Sequence, residues 1–369
     1  MKIILTGGGT GGHVLPAVAI AEKLYEKYPD VKILFIGRLG GGENRTVKDL
    51  KIPIKEIEVC GIERRLTLKN IKSIFLAVRA TAKAKKIIKE FSPDAVIGTG
   101  GYVCFPVLRA AQRLGIKTLI HESNASAGLV TRLCADKCDA VLLNHAETKK
   151  NLKSTARCHI VGNPLRKSFF ETTREAARKS LGINKDEVLI VSFGGSGGSR
   201  ALNEHALKFM NEYSRKTPGV RHVHATGEKY YELLPSEIKN NRSGGGKILP
   251  YITNMPTLLS GADIVICRCG AMTLSEISIT KSAAVLIPSP NVADNHQYKN
   301  ARLLSSCGAA VMIEEKELSY ETFSEKVIRL VENESERKKL SKCIQRFAKS
   351  DAACRIVDII DGLVKKQEQ

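Results

Sequence analysis

His13 closes the run Thr6-Gly7-Gly8-Gly9-Thr10-Gly11-Gly12-His13, so a titratable ring stands beside a glycine-rich turn. Glycines let backbone N–H groups approach an anion, and the first turn of a following helix supplies more of them. An imidazole with an ordinary pKa of about 6.5 suits taking a proton from an attacking hydroxyl near neutral pH. The same ring also suits a structural hydrogen bond to a loop carbonyl. Gly7, Gly9 and Gly12 fit G-x-G-x-x-G, a spacing too widespread to identify anything alone. Two further turns share the design, Gly98-Thr99-Gly100-Gly101-Tyr102 and Gly194-Gly195-Ser196-Gly197-Gly198-Ser199. Ser196 and the amides around it suit a diphosphate. Glu276 follows Cys267-Arg268-Cys269-Gly270-Ala271. It is either an acceptor for both hydroxyls of a ribose or a solvated acid favoured by a helix dipole. Arg166 suits a phosphate or an interdomain ion pair. His296 and Gln297 suit sugar hydroxyls or the capping of the next helix.

These residues need strands and helices to hold them, and the pattern of the chain supplies both. Ile3–Leu5, Val31–Ile36, Ile54–Val59, Ala95–Ile97, Thr118–Ile120, Ala140–Leu143 and Ile160–Val161 read as short buried strands alternating with helices. Gly162-Asn163-Pro164-Leu165-Arg166 breaks the pattern and marks a linker and candidate hinge. The design restarts with Val188–Phe193, Val220–His224, Lys247–Leu249, Asp263–Cys267 and Ala283–Ile287. The expected fold class is α/β, with two Rossmann-like parallel-sheet domains facing a cleft. The domains are placed at 1–163 and 164–344, with a C-terminal helix at about 345–369 packing back on the first. His121-Glu122-Ser123-Asn124 puts four polar residues at the carboxyl end of a strand, where parallel sheets bind ligands. The second strand ends at Gly37-Arg38, without the acid that a dinucleotide site uses to hold ribose.

The bulk numbers narrow the class. A chain of 369 residues with no low-complexity tract is long enough for more than one domain. Its net charge of +20 (58 basic residues less 38 acidic) implies an anionic partner. The lack of Trp argues against base-stacking platforms for nucleic acid. Ten scattered cysteines, with Cys134/Cys138 and Cys267/Cys269 the close pairs, fit neither zinc nor redox spacing. With no secretory signal read at the N terminus, they imply a reducing cytoplasm. No apolar run reaches the roughly 20 residues of a membrane span. No Asp-x-Asp pair occurs, so the expected chemistry uses no metal and no cofactor, and helix N termini and basic side chains neutralise a leaving diphosphate.

Gly61–Phe91 holds nine Lys or Arg and two acids. From Lys69 it reads as a helix, with Lys72, Arg79, Lys83 and Lys86 in one arc and Ile71, Ile74, Phe75 and Val78 as an apolar stripe. It is either an ordinary surface helix or one lying on anionic lipid.

Seven motifs occur in order: G-G-T-G-G-H at Gly8–His13, G-G-Y-V at Gly100–Val103, H-E-x-N at His121–Asn124, G-N-P-x-R at Gly162–Arg166, G-G-S-x-G at Gly194–Gly198, C-R-x-G-A-x-T-x-x-E at Cys267–Glu276 and H-Q-x-x-N-A at His296–Ala301. In this order the chain closely resembles the peptidoglycan N-acetylglucosaminyltransferases over essentially its whole length. The resemblance implies a GT-B fold and inverting transfer of N-acetylglucosamine from UDP-N-acetylglucosamine. The acceptor is the C4 hydroxyl of the muramyl sugar in undecaprenyl-pyrophosphoryl-N-acetylmuramoyl-pentapeptide, and the reaction converts lipid I to lipid II. It further implies that Thr10, Gly11, Gly12, Asn124, Arg166, Ser196, Ile252, Ala271, Met272, Thr273, Leu274, Ser275, Glu276 and Gln297 contact the donor. Ile252 reads uracil through its backbone and Glu276 takes the ribose. Gly7, Gly8 and Gly9 with Gly98, Thr99, Gly100, Gly101 and Tyr102 cradle the acceptor diphosphate, and His13 is the base. The enzyme is then peripheral at the cytoplasmic face of the cell membrane, with cell-wall synthesis or division proteins as further partners and no nucleic acid. Two departures stand out. Ser199 replaces the usual Ala, with little expected effect, and Lys281-Ser282-Ala283 stands where the family has a Gly and a Pro.

Competing readings are another GT-B lipid glycosyltransferase, a UDP-N-acetylglucosamine 2-epimerase of the same shape, a nucleotide-sugar-binding scaffold without turnover, and a nucleic-acid binder argued from charge alone. An epimerase consumes donor without acceptor, and a scaffold binds UDP without turnover. Specific nucleic-acid binding requires more than a steep salt slope.

Overall fold

Apolar runs of four to six residues bounded by glycines are too short for helices, and they bury on both faces as parallel strands. In a computed structural model, which describes residues 1–41, 47, 50–61, 68–241 and 243–365, these runs build two sheets in two units. One unit is Met1–Lys167 with the segment from Lys349 onward, and the other is Ser168–Ala348.

In the first unit β1 (Lys2–Thr6), β2 (Lys32–Arg38), β3 (Ile54–Ile57), β4 (Ala95–Gly98), β5 (Lys117–Glu122), β6 (Ala140–Leu143) and β7 (Cys158–Ile160) form a parallel sheet in the order 3-2-1-4-5-6-7. Successive residues of a strand go to opposite faces. Ile3 and Leu5 accordingly share a core with Ala17, Ile20 and Leu24 of α1 (Gly11–Lys27) and with Ile356, Val357 and Ile360 of the C-terminal helix Ala352–Lys365. Ile4 belongs to a second core, with Ala80 and Ala84 of α2 (Leu68–Phe91) and Val107 and Leu108 of α3 (Cys104–Arg113). The C-terminal helix is also held by charge. Lys27 Nζ lies 2.7 Å from Asp358 and 2.6 Å from Asp361, and the Tyr28 hydroxyl donates to Asp361 at 2.6 Å.

In the second unit β8 (Val188–Phe193), β9 (Val220–Ala225), β10 (Gly246–Leu249), β11 (Ile264–Cys267), β12 (Ala283–Leu286) and β13 (Val311–Met312) run parallel in the order 10-9-8-11-12-13. The two-residue β13 has no counterpart in the sequence reading, because a pairing that short leaves no periodic signal. Helices α4 (Arg200–Phe209), α5 (Ala271–Thr280), α6 (His296–Ser305) and α7 (Tyr320–Glu332) follow. Leu202, Ala206, Phe323 and Val327 close the core over Ile190, Ile264 and Val285.

Both sheets reverse direction of growth once, between β1 and β4 and between β8 and β11. A crevice opens at such a switch point, outside the carboxyl ends of the strands. All three glycine-rich turns leave strands at these points, as does the Arg268–Gly270 loop after β11.

Helix α2 differs from its sequence reading. Its packed face is Leu76, Ala80, Ala84 and Ile88, while Phe75 and Val78 are 60% and 64% exposed. Residues 62–67 and the side chains at 68–72 and 74, which include the expected Ile71, Lys72 and Ile74, lie outside the described residues. No described helix is long and apolar enough to cross a membrane.

Candidate active site

The two glycine-rich turns of the first unit interlock. Thr99 N–H donates to the Thr6 carbonyl at 2.8 Å, and Gly8 N–H donates to Gly100 O at 3.2 Å. A Cβ at Gly101 would lie 1.9 Å from Gly8 O, so glycine is obligatory there. The Thr99 side chain is buried, and its hydroxyl donates to His13 O at 2.6 Å. Thr99 therefore holds the turn rather than offering a donor to a ligand. The same contact explains Gly7, where a Cβ would meet Thr99 Oγ1 at 2.4 Å and His13 O at 2.6 Å.

His13 is half-buried in the first turn of α1, with Nδ1 3.0 Å from Gly8 O and 3.3 Å from Thr10 Oγ1. A carbonyl only accepts, so Nδ1 carries a proton toward Gly8 O. The structural hydrogen bond to a loop carbonyl that the sequence allows is present. A Cβ on Gly100 would lie 2.5 Å from His13 Cδ2, so the second turn packs on the ring. Thr10 does not cap α1 with its side chain, and no acid occupies the helix's first turn, so nothing there opposes an anion near Gly11 and Gly12.

At the end of β5, His121 and Glu122 belong to the strand rather than to the loop. His121 is fully buried with Nε2 2.9 Å from Gly162 O, and burial pushes its pKa down, so it is a neutral donor to that carbonyl. Buried Glu122 organises the turn. It accepts from Asn124 N at 3.1 Å, Asn124 Nδ2 at 2.9 Å, Gly128 N at 2.8 Å and Thr131 Oγ1 at 2.7 Å. Asn124 is thereby locked at the strand end. Arg166 is half-buried in the same unit, four residues after Gly162, whose φ of 93° needs glycine. It is not in the unit that carries Ser196.

In the second unit the turn after β8 exposes Ser196 between Gly195 and Gly198, which sit at φ 86° and 74°. Ser199, the departure expected to matter little, has two tasks. Its hydroxyl accepts from Leu202 N at 3.4 Å as the cap of α4. It also accepts from Arg268 Nε at 3.0 Å and Nη2 at 2.7 Å. Arg268 donates further to Ile287 O at 3.1 Å and pairs with Glu315. An alanine would leave the guanidinium without this link between the β8 and β11 loops.

The β11 loop is clamped from α6. Gln297 Oε1 accepts from Cys269 N at 3.1 Å and from Ser289 N at 2.9 Å, while Asn300 Nδ2 donates to Cys269 O at 3.2 Å. The i, i+3 spacing of Gln297 and Asn300 puts both on one helix face. With its carbonyl committed twice, Gln297 has only its amide N–H groups to offer a ligand. His296 Nδ1 lies 2.7 Å from Ala293 O at the start of α6. Gly270 is the N-cap of α5, and Ala271, Met272, Leu274 and Glu276 are buried, with Thr273 and Ser275 half-buried. Glu276 is 5% exposed, which rules out a solvated helix acid. Ser275 Oγ donates back to Ala271 O at 3.2 Å. Ile252 is buried in the loop between β10 and the helix Met255–Gly261, which Asn254 caps by accepting from Thr257 N at 3.3 Å.

Beside Tyr102, the first unit contains a largely apolar cavity of about 580 Å³. It is lined by Val78, Phe105, Leu129 and Leu133, with Lys85, Arg109 and Arg113. The sequence reading named Thr99, Glu122, Arg268 and Ser199 but not their bracing roles, which are made by side-chain contacts that no periodicity reports. Only Glu122 carried a signal, as an acid at a strand end.

The comparisons with known proteins agree with this geometry. The description "Glycosyltransferase family 28 N-terminal domain" matches residues 3–143, and "Glycosyltransferase family 28 C-terminal domain" matches residues 189–356. The chain is 39% identical over 367 residues to the UDP-N-acetylglucosamine--N-acetylmuramyl-(pentapeptide) pyrophosphoryl-undecaprenol N-acetylglucosamine transferase of Acetivibrio thermocellus, covering 100% of this chain and 99% of that one. It is 34% identical to the Bacillus subtilis protein of the same name, covering 99% and 100%. The crystal structure of Acinetobacter baumannii MurG matches with a TM-score of 0.74 at 28% identity, covering 98% of this chain and 99% of that one. A UDP-N-acetylglucosamine 2-epimerase matches with a TM-score of 0.69 at 14% identity over 97% and 94%, a likeness of fold alone. Two parallel α/β domains of the GT-B type, matched end to end, place the chain: it belongs to glycosyltransferase family 28.

Proposed function

We propose that this chain transfers N-acetylglucosamine from UDP-N-acetylglucosamine to the muramyl C4 hydroxyl of undecaprenyl-pyrophosphoryl-N-acetylmuramoyl-pentapeptide. The observation that carries the reading is 39% identity over the full length to a transferase named for this reaction, in a chain with motifs at both switch points. The acceptor O4 attacks the anomeric carbon of the donor. The bond from that carbon to the diphosphate oxygen breaks, UDP leaves with the electron pair, and the acceptor proton passes to His13 Nε2. In this reading Glu276 accepts from the ribose hydroxyls, Gln297 donates to the donor, and Ile252 presents its backbone to uracil. The turn around Ser196 and the N terminus of α5 balance the leaving diphosphate. The turns Gly7–Gly9 and Gly98–Tyr102 cradle the acceptor diphosphate, Thr99 from behind.

We infer a peripheral position on the cytoplasmic face of the membrane. Exposed Phe75 and Val78, the apolar cavity beside Tyr102 and the net charge of +20 support it. The test is release of UDP from UDP-N-acetylglucosamine with and without a polyprenyl-pyrophosphoryl muramyl acceptor. Release only with acceptor is expected. Consumption of the donor with no acceptor present sinks the proposal in favour of an epimerase or hydrolase.

A further inference from the structure

Beneath the Gly194–Ser199 turn lies a buried chain of polar groups that none of the motif assignments uses. Ser214 Oγ is 3.1 Å from His222 Nδ1, and His222 Nε2 is 2.8 Å from Ser192 Oγ. His224 Nδ1 is 2.7 Å from Ser192 Oγ and 3.2 Å from Ser192 O, and His224 Nε2 is 3.2 Å from Asn203 Oδ1. Asn203 Nδ2 donates to Thr226 O at 3.0 Å. Ser192, Ser214, His222, His224 and Thr226 are fully buried, and Asn203 is nearly so.

The Asn203 side-chain oxygen only accepts, since its Nδ2 is committed to Thr226 O, and the Ser192 carbonyl at Nδ1 only accepts as well, so the His224 ring sits between an acceptor on the strand that enters the turn and one on the helix that leaves it. Burial holds His222 well below its ordinary range and His224 at about 4.

The chain touches the turn on three sides. Ser192 is the last residue but one of β8, two residues before the turn. Asn203 lies in the first turn of α4, immediately after it. Thr226 and Gly227 form its floor: a Cβ on Gly198 would lie 2.0 Å from Thr226 O, and one on Gly227 would lie 2.7 Å from Gly198 N. We propose that His224 is a positioning residue for the diphosphate turn, tying the strand that enters it to the helix that leaves it and, through Asn203, to the Thr226 carbonyl on which Gly198 is seated. The inference rests on the reading that this turn holds the donor diphosphate.

The experiment compares His224→Leu, which removes the hydrogen bonds to Ser192 and Asn203, with His224→Gln, which keeps a donor toward Asn203. UDP affinity is read by calorimetry, and kcat and donor KM by the transfer assay. The leucine variant is expected to raise the UDP dissociation constant and donor KM roughly tenfold with kcat nearly unchanged, and the glutamine variant to recover most of the loss. A folded leucine variant that binds UDP like the wild type overturns the positioning role. Should that variant not fold, Asn203→Ala, which cuts the link at the helix end, decides: a raised UDP dissociation constant is expected, and wild-type UDP binding in that variant overturns the positioning role. Ser196→Tyr separates this result from failure of the underlying reading. Blocking the turn abolishes UDP binding if the turn holds the diphosphate, and unchanged binding in that variant defeats the reading and the inference together.

Discussion

At the scale of single residues, the structure resolves choices that residue type leaves open. His13 is offered by its sequence as either a base or a hydrogen-bonded loop residue, and its bond to Gly8 O shows the second, while the first is the proposed role. Replacing it with alanine should lower acceptor-dependent transfer by about 100-fold or more, with UDP affinity unchanged. Turnover and calorimetry on the same preparation check this, and a variant with full turnover removes His13 from the mechanism. Glu276 shows the converse. A helix acid reads as solvated by default, and only packing reveals it as buried. Ser199 has no rationale in sequence beyond a missing alanine, because the guanidinium it serves, Arg268, is 69 residues away.

At the scale of elements, the glycine turns and the strands that launch them were legible, because dense apolar runs bounded by glycines have few other uses. Their ends were less so: β5 runs on through His121 and Glu122, and β13 was invisible. The segment Lys281–Ala283 illustrates the local physics. Lys281 ends α5 in the left-handed region at φ 61°, donating to Ile277 O at 2.8 Å. A side chain there costs about 1 kcal/mol that glycine avoids. Lys281→Gly is therefore expected to stabilise the second unit by roughly that amount, raising its melting midpoint by about 2–4 °C. Calorimetric scans of both proteins check it. A lower midpoint would mean that the lysine side chain contributes more than its backbone conformation costs.

At the scale of the molecule, charge and exposed apolar surface act together. Phe75 and Val78 stand out from α2 among basic residues, with Arg79 5.8 Å from the Phe75 ring. Burying two such side chains in a lipid interface is worth a few kcal/mol, and the positive field adds to it on anionic lipid. The double variant Phe75→Glu, Val78→Glu should bind vesicles containing phosphatidylglycerol at least about tenfold more weakly, with soluble UDP affinity intact. Co-sedimentation at two salt concentrations measures it, and undiminished binding moves the contact surface away from α2.

The order of strands and helices, the positions of the glycine turns and the family resemblance were all determined by the sequence alone. Each depends on local periodicity or on backbone freedom that single residues carry. Tertiary structure alone decided which polar side chains brace the turns. Thr99, Glu122, Gln297 and the His222–Ser192–His224–Asn203 chain are defined by partners brought together from separate strands and helices. A buried polar group must find a partner wherever the fold places one, and that requirement leaves no periodic mark on the chain.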